Sequence, residues 1–311
     1  LFFFRYIFGI IGIKIFFDSE FDNGIIRKVF KLWSLVFLII FVDSLIQYFF
    51  NYNILLFEKP LNRVSSFFLD EYILGAYLFK LYPVFLYICF NIKKELFSKY
   101  FLIVSILFSI VIFISGEREA LLRFLLLFFL IGFYFFPLRQ LLKFIPIFLI
   151  LIISINLIDN SSFKRVIMTS LDQMKNKDAV FYTQGHTYHI VAAIELFKQK
   201  PFFGHGLKTF REKCKTINTN YCSTHPHNIF FQLLAEVGVF GLLFYLILLL
   251  FLIVKIINCF KLKQKNIIAI LYLGIFVSII PIFPNSNLLS NWNAVLLSIT
   301  PGFLLYEYYK K

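Results

Sequence analysis

The stretch STHPHNIFFQLLAEVGVFG, Ser223 to Gly241, sets two histidines and an asparagine directly before an apolar run that still carries Gln232 and Glu236. Imidazole titrates near neutral pH, so a histidine at the mouth of an apolar helix is suited to take a proton from a hydroxyl as a general base. His227 abuts the expected helix start, with Asn228 as a candidate N-cap. The positive end of a helix dipole there favours the neutral, proton-accepting imidazole. Asn228, Gln232 and Glu236 recur every four residues as one polar stripe. Polar groups in a membrane are costly, so the stripe is expected to face a cavity or neighbouring helices, either lining a site or forming a hydrogen-bonded packing face. Ala235, Gly238 and Gly241 give a second, small face that invites close approach of another helix.

A second constellation is SGEREALLRFLLL, starting at Ser115. Arg118 offers a planar fork that matches phosphate oxygens; the plainer reading makes it the partner of Glu117 or Glu119. Arg123 lies deeper in the same run and is expected to pair internally or line a cavity. All five histidines (His186, His189, His205, His225 and His227) fall between Asp159 and His227, where ten basic residues stand against five acidic ones, a net +5. That charge suits an anionic substrate or lipid head group, a merely solvated surface being the alternative.

Within the same segment HTYHIVAAIELFKQK reads as a helix, with Ile190, Ile194 and Phe197 at i, i+4, i+7 and Val191 beside them, stopped by Pro201. In FFGHGLKTF two glycines flank His205, a tight turn that brings backbone N–H groups close to a ligand or to packing neighbours. Cys214, Cys222, His225 and His227 are residue types that hold zinc, but the first spacing is longer than the usual knuckle. Two cysteines this close in an oxidising compartment are more often a disulfide, with free thiols as the third reading. No metal site is assigned. Cys89 and Cys259 lie in or beside apolar runs and read as small apolar residues.

These residues must be held by membrane spans. The chain is 60% hydrophobic and 21% aromatic with only 15% charged residues, and its mean hydropathy is +0.81. A soluble chain carries roughly a quarter charged residues, and runs such as VFKLWSLVFLIIFVDSLIQYFF approach the ~20 apolar residues a helix needs to cross a bilayer. The fold class expected is all-α: a polytopic helical membrane protein with a partly helical extracytoplasmic loop domain. The start, LFFFRYIFGIIGIKIFF, reads as the end of a span in a chain lacking its first helices, with no cleavable signal. Further spans are expected at 29–50, 72–90, 100–115, 120–137, 143–158, 228–256, 266–283 and 290–308. Arg27, Lys28, Lys31, Lys93, Lys94, Lys99, Arg139, Lys143, Lys255, Lys261, Lys263, Lys265, Lys310 and Lys311 fall in every second connection, which makes those connections cytoplasmic. Trp33 and Trp292 then fall near span ends, where indoles favour the interface. Residues 1–158 and 228–311 are therefore expected to be membrane regions around an extracytoplasmic loop at 159–227, too long to be a bare connection.

His227, Asn228, nine residues and then Gly238-Val239-Phe240-Gly241 resemble the H-N-x9-G-x-x-G signature of the O-antigen ligase and O-antigen polymerase superfamily. PFFGHGLKTF resembles its P-x-x-G-x-G-x-x-x-F segment, Arg118 with Leu122 its R-x-x-x-L element, and NRVSSFFLDEYILGAYL a segment common before its central spans. The order of elements agrees from about residue 60 to 250. The resemblance implies a metal-independent glycosyltransferase, without cofactor, that passes a glycan from undecaprenyl diphosphate to an acceptor sugar such as lipid A-core. His227 would deprotonate the acceptor and Arg118 would hold the diphosphate. Many relatives start the loop helix with an arginine where His186 stands here, so Arg165, Lys208 or Arg211 is the expected replacement. His186, His225, Asn228, Gln232 and Glu236 complete the expected substrate-binding set.

The partners expected are a lipid-linked glycan donor, a glycolipid acceptor and membrane lipid, not nucleic acid, at the outer face of a bacterial inner membrane. A polymerase extending another lipid-linked glycan uses the same donor and base and is the nearest alternative. A transporter of a lipid-linked anion would carry internal repeats and paired broken helices, and neither is evident.

Overall fold

The computed structural model describes residues 2–19, 23–60, 63–92, 94–143, 145–146, 148–150, 153, 157, 161–175, 183–217, 222–262 and 266–309. The helices that bear on the site are α1 (Phe2–Ser19), α2 (Asn23–Phe50), α3 (Leu74–Ile92), α4 (Phe97–Ile114), α5 (Arg118–Phe135) and α6 (Leu138–Leu142). They are followed by α7 (Thr169–Lys175), α8 (Gln184–Gln199), α9 (Phe210–Ile217), α10 (Ile229–Lys261), α11 (Ile268–Ile279) and α12 (Asn291–Tyr309). Among the described residues the β pairing is a single bridge, Tyr52 to Glu58. Four helical stretches, Gly24–Phe50, Leu74–Ile92, Lys94–Ile114 and Ile229–Lys261, are long and apolar enough to cross a membrane. The protein is an all-α, multi-pass membrane protein.

Helices α3, α4, α5 and α11 pack around one aromatic-rich core that includes Tyr82, Phe101, Phe108, Phe124 and Phe128. The chain start is not a loose end: α1 lies along α12, with Phe17 packed on Phe303 and Tyr306. Half of the span expected at 143–158 lies outside the described residues, as do Lys93, Lys263, Lys265, Lys310 and Lys311; within it Phe148 packs edge-on against Phe128. The span expected at 266–283 is a helix only over Ile268–Ile279. Pro281 and Pro284 end it, and irregular backbone follows. Such backbone is tolerated at membrane depth only where protein groups satisfy it. Here Arg123 supplies the donors, reaching the carbonyls of Val277, Ile280, Phe283 and Pro284 while pairing with Glu119 at 2.6 Å.

Two buried polar devices set the rim above the site. In α2, Asp43 accepts from the Ile54 N–H at 2.8 Å and from the Ser66 hydroxyl, and Gln47 accepts from the Ser65 and Ser66 N–H groups at 2.9 and 2.7 Å. These bonds fold the 51–68 segment back along α2. Between α4 and α5, the Glu117 carboxylate accepts from the Gly75 and Ala76 N–H groups at 2.6 and 3.0 Å, satisfying orphan donors in the first turn of α3.

Candidate functional site

The HPHN loop is built from both of its ends. Cys214 and Cys222 form a disulfide that joins α9 to the start of the loop; this removes the cysteines from any zinc set. At the other end Asn228 caps α10, its Oδ1 accepting from the Phe230 N–H at 2.9 Å, while its amide donates to the Pro281 carbonyl at 2.8 Å. Between these anchors His227 takes a left-handed backbone conformation, φ 57°. That conformation costs a non-glycine residue on the order of 1–3 kcal/mol and recurs at functional sites. The Asn285 N–H, donating to the His227 carbonyl at 2.6 Å, holds the turn.

Four imidazoles meet here. The His227 ring centre lies 4.2 Å from that of His225, 5.2 Å from His186 and 5.5 Å from His189. His186 and His189 come from the first turns of α8, whose N-cap Thr183 places its hydroxyl 2.8 Å from His186 Nδ1. His225 is committed at both nitrogens. Nε2–H donates to the Asn285 carbonyl at 3.0 Å, which leaves Nδ1 to accept from the Thr224 hydroxyl at 3.0 Å. His227 Nε2 instead lies 3.0 Å from the Ser223 hydroxyl, a group of the same chemical type as a sugar hydroxyl.

Burial and mutual repulsion favour the neutral forms of His186, His225 and His227. Burial, then the charges His225, His186 and His189 would carry, lower His227 from 6.5 to about 2. Burial lowers His225 to about 4 against the help of its Asn285 bond. His186 falls to about 4 through burial, then His189, then Arg118. Beside the helix dipole expected from the sequence, burial and three other imidazoles act on His227 in the same direction.

Arg118 lies near enough to His186 for its charge to help lower that imidazole. It pairs with neither glutamate: Glu119 takes Arg123, Glu117 holds α3, and Arg118 Nη1 donates to Gln173 Oε1 at 2.6 Å and Ser170 Oγ at 3.2 Å. Arg165, in a π-helical turn Lys164–Met168 just before α7, turns back to donate from Nε to the Gly116 carbonyl at 3.3 Å. Arg63 joins them, 8% exposed, with its guanidinium 3.9 Å from the Tyr72 ring centre. Burial and then Arg165 push the Arg63 guanidinium down to about 10.

The remaining expected residues lie elsewhere. Lys208 and Arg211 are exposed, and Lys208 reaches over the Phe2 ring. His205 donates to the Leu196 carbonyl at 2.9 Å, closing the C-terminal end of α8. Gln232 and Glu236 are 1% and 2% exposed. Gln232 donates to Asn287 Oδ1 at 2.9 Å and accepts from the Leu288 N–H at 3.2 Å, while Glu236 accepts from the Phe210 N–H at 3.2 Å. The stripe is thus engaged by the chain's own segments, which it staples beneath the histidines.

The small face of α10 also meets something other than an outside helix. At Gly238 the helix breaks, with φ 72° and ψ −160°. The Val239 N–H donates to the Pro201 carbonyl at 2.8 Å, while the Ala235 carbonyl accepts from the His205 N–H at 3.0 Å and the Glu236 carbonyl from the Gly206 N–H at 2.9 Å. The bond a continuous helix would make between Ala235 and Val239 is exchanged for bonds to the 201–206 turn. A Cβ on Gly238 would lie 2.4 Å from the Phe202 carbonyl oxygen, and one on Gly204 2.4 Å from the Glu236 carbonyl carbon. The P-x-x-G-x-G and G-x-x-G segments are therefore two halves of one backbone joint. Ala235 does meet a helix, packing with Ala192, Ala193 and Leu196 of α8. The buried line of α8 runs through Ile190, Ala193 and Leu196, with Val191 exposed, rather than through Ile194 and Phe197.

Arg63, His189, Ser223 and Asn285 were not singled out by spacing. His189 and Ser223 share the histidine-bearing segment, and Arg63 follows Pro60 in the segment between α2 and α3. Asn285 carries no local signal, because its contribution is made through backbone atoms.

Residues 103–246 match the family model described as O-antigen ligase, which supports the O-antigen ligase and polymerase superfamily. No curated protein and no solved structure matches the chain. That match supports O-antigen ligase- or polymerase-type activity in general, with lipid-linked glycan and glycolipid as the partners such a family implies.

Proposed function

We propose that this protein is an O-antigen ligase-type enzyme that transfers a glycan from undecaprenyl diphosphate to a glycolipid acceptor, at the periplasmic face of a bacterial inner membrane. The observation that carries the reading is the placing of His227 Nε2 against a hydroxyl, beside a His186 ring that feels the charge of Arg118. In the reaction the acceptor oxygen bonds to the anomeric carbon of the donor sugar. Its proton passes to His227 Nε2, and the bond from that carbon to the diphosphate oxygen breaks, releasing undecaprenyl diphosphate. Arg118 and Arg165 hold the diphosphate, where planar guanidinium forks match phosphoryl oxygens. Residues 159–227 form the periplasmic part of the site and the flanking regions its membrane frame. Asn228, Gln232 and Glu236 act by holding the histidine loop, and His225 by shaping it.

A His227 held near 2 would be a feeble base at neutral pH, because general bases work best when their pKa lies near the operating pH. The donor corrects this: negative charge beside the imidazoles favours their protonated forms and lifts their pKa values. The base is armed by the substrate it serves.

The test is transfer in vitro from purified lipid-diphosphate glycan to lipid A-core, with lipid-linked glycan as the competing acceptor, using the full-length protein in lipid. Transfer to lipid A-core supports the ligase. Elongation of the lipid-linked glycan alone establishes the polymerase, and no consumption of the donor with either acceptor overturns the reading.

A further inference from the structure

The Ser223 hydroxyl stands where the proposed reaction needs an acceptor hydroxyl, 3.0 Å from His227 Nε2. Its place is not the accident of a loose loop. The residue before it, Cys222, is bonded to Cys214, which is fully buried in a cluster with Ala192, Ala193 and Leu196 of α8. The residue after it, Thr224, holds its hydroxyl 3.0 Å from His225 Nδ1, and His225 is tied in turn to the Asn285 carbonyl. The backbone at Ser223 is therefore held from both sides. The hydroxyl can still leave Nε2 by rotation about χ1 from one staggered well to another, with no movement of the backbone. Ser223 and His227 are both half-buried rather than sealed in, so an incoming oxygen can take the vacated place.

A base in this position faces a hazard. Water carries the same kind of proton as a sugar hydroxyl and is far more abundant. Were it to reach Nε2 while donor was bound, its oxygen would bond to the anomeric carbon and its proton would pass to Nε2. The bond from that carbon to the diphosphate oxygen would break, and the products would be free glycan and polyprenyl diphosphate.

We propose that Ser223 gates the general base: its hydroxyl fills the acceptor's place on His227 Nε2, keeps water from it, and yields by rotation to an acceptor hydroxyl. The inference rests on the transferase reading and deepens it, by naming what separates transfer from hydrolysis. Ser223 acts through His227 and is a positioning residue. A glycolipid acceptor displaces it because remote binding contacts can be spent on the exchange, whereas a water molecule brings only the hydrogen bond it would replace.

The experiment incubates polyprenyl-diphosphate-linked glycan with the full-length protein in lipid, with and without lipid A-core. Free reducing glycan and transfer product are measured for the wild type, Ser223→Ala, Ser223→Thr, and Ser223→Ala combined with His227→Ala. One net hydrogen bond corresponds to roughly a two- to tenfold preference. Ser223→Ala is expected to raise acceptor-free hydrolysis by about that factor and to lower the acceptor KM similarly. Ser223→Thr, which keeps a hydroxyl, is expected to hold hydrolysis at the wild-type level, and loss of His227 to abolish the gain. A residue that only shaped the loop would instead move hydrolysis and transfer down together. Should Ser223→Ala prove unstable, Ser223→Gly carries the test. Hydrolysis that does not rise in a folded variant overturns the gate and leaves the transferase standing. Glycan bonded covalently to Ser223 would make it a nucleophile and likewise overturn the gate. A wild type that consumes no donor with any acceptor overturns the transferase reading, and the gate with it.

Discussion

His225 and His227 lie ring to ring at 4.2 Å, yet only His225 has both nitrogens committed to the chain's own groups, Asn285 and Thr224. The two should therefore fail differently. His227→Ala is expected to lower single-turnover transfer by about 10²–10⁴-fold, the usual worth of a general base, while donor binding persists. His225→Ala leaves the Asn285 carbonyl without its donor, at a stability cost of about 1–3 kcal/mol, and keeps measurable transfer. Near wild-type transfer by His227→Ala would remove it from the chemistry.

The pH dependence should differ between free and loaded protein. His225 and His227 have native values near 4 and 2, below the ordinary 6.5. Between those values the unfolded chain binds more protons, so the stability they contribute is present above pH 6.5 and is lost as pH falls toward the native values. In kinetics, the acid limb of kcat/KM reports the free protein and that of kcat the complex with donor. The kcat limb is expected at the higher pH, because the diphosphate raises the imidazoles. Superimposed limbs would show that the donor does not tune His227.

Arg118→Lys retains the charge but loses the fork that reaches Ser170 and Gln173. The expected result is at least a tenfold loss of transfer, the scale of one charged hydrogen bond, with normal membrane insertion. Unchanged transfer in both Arg118→Lys and Arg118→Ala would leave Arg118 as a tie between α5 and α7.

Gly238→Ala asks a side chain to enter space held by the Phe202 backbone, at a φ of 72°. Backbone cannot retreat as a flexible side chain can. We expect a loss of several kcal/mol, the range of overpacking plus a left-handed penalty, read as a lowered unfolding temperature in detergent. Gly241→Ala, whose Cβ would meet only the Val237 side chain, is the milder control. Equal stability of the two variants would deny the joint.

Transfer should persist in EDTA, since the proposed base and diphosphate-binding groups are nitrogen cations and imidazoles rather than carboxylates. Activity lost to the chelator and restored by Zn²⁺ or Mg²⁺ alone would replace this mechanism with a metal-assisted one.

Much of this arrangement could be read from residue types and spacing. Apolar runs located α2, α3, α4 and the long α10, because length and hydrophobicity suffice for a span. The Asn228 cap and the nearness of His227 to the helix start are local facts, and local facts survive folding. What escaped were contacts made by backbone. Helical periodicity treats Ala235 through Gly241 as continuous and cannot reveal that a turn thirty residues upstream takes over its hydrogen bonds. Gln232 and Glu236 were recognisable as costly groups in need of partners, but which segments supplied them depended on where 206–210 and 285–289 came to rest. Arg63 was hidden for the same reason: its neighbours Ser115 and Arg165 are distant in the chain.

The hold that Asn285 keeps on both His225 and His227 also sets a timetable. A ribosome delivers the HPHN loop well before residues 280–285, and those residues are themselves seated by Arg123 from α5. Until the last hairpin is inserted, the loop lacks the carbonyl and N–H that fix its two imidazoles. A chain stopped after α10 would thus carry every side chain of the proposed chemistry and still be inert, so that premature activity on lipid intermediates is denied to unfinished protein.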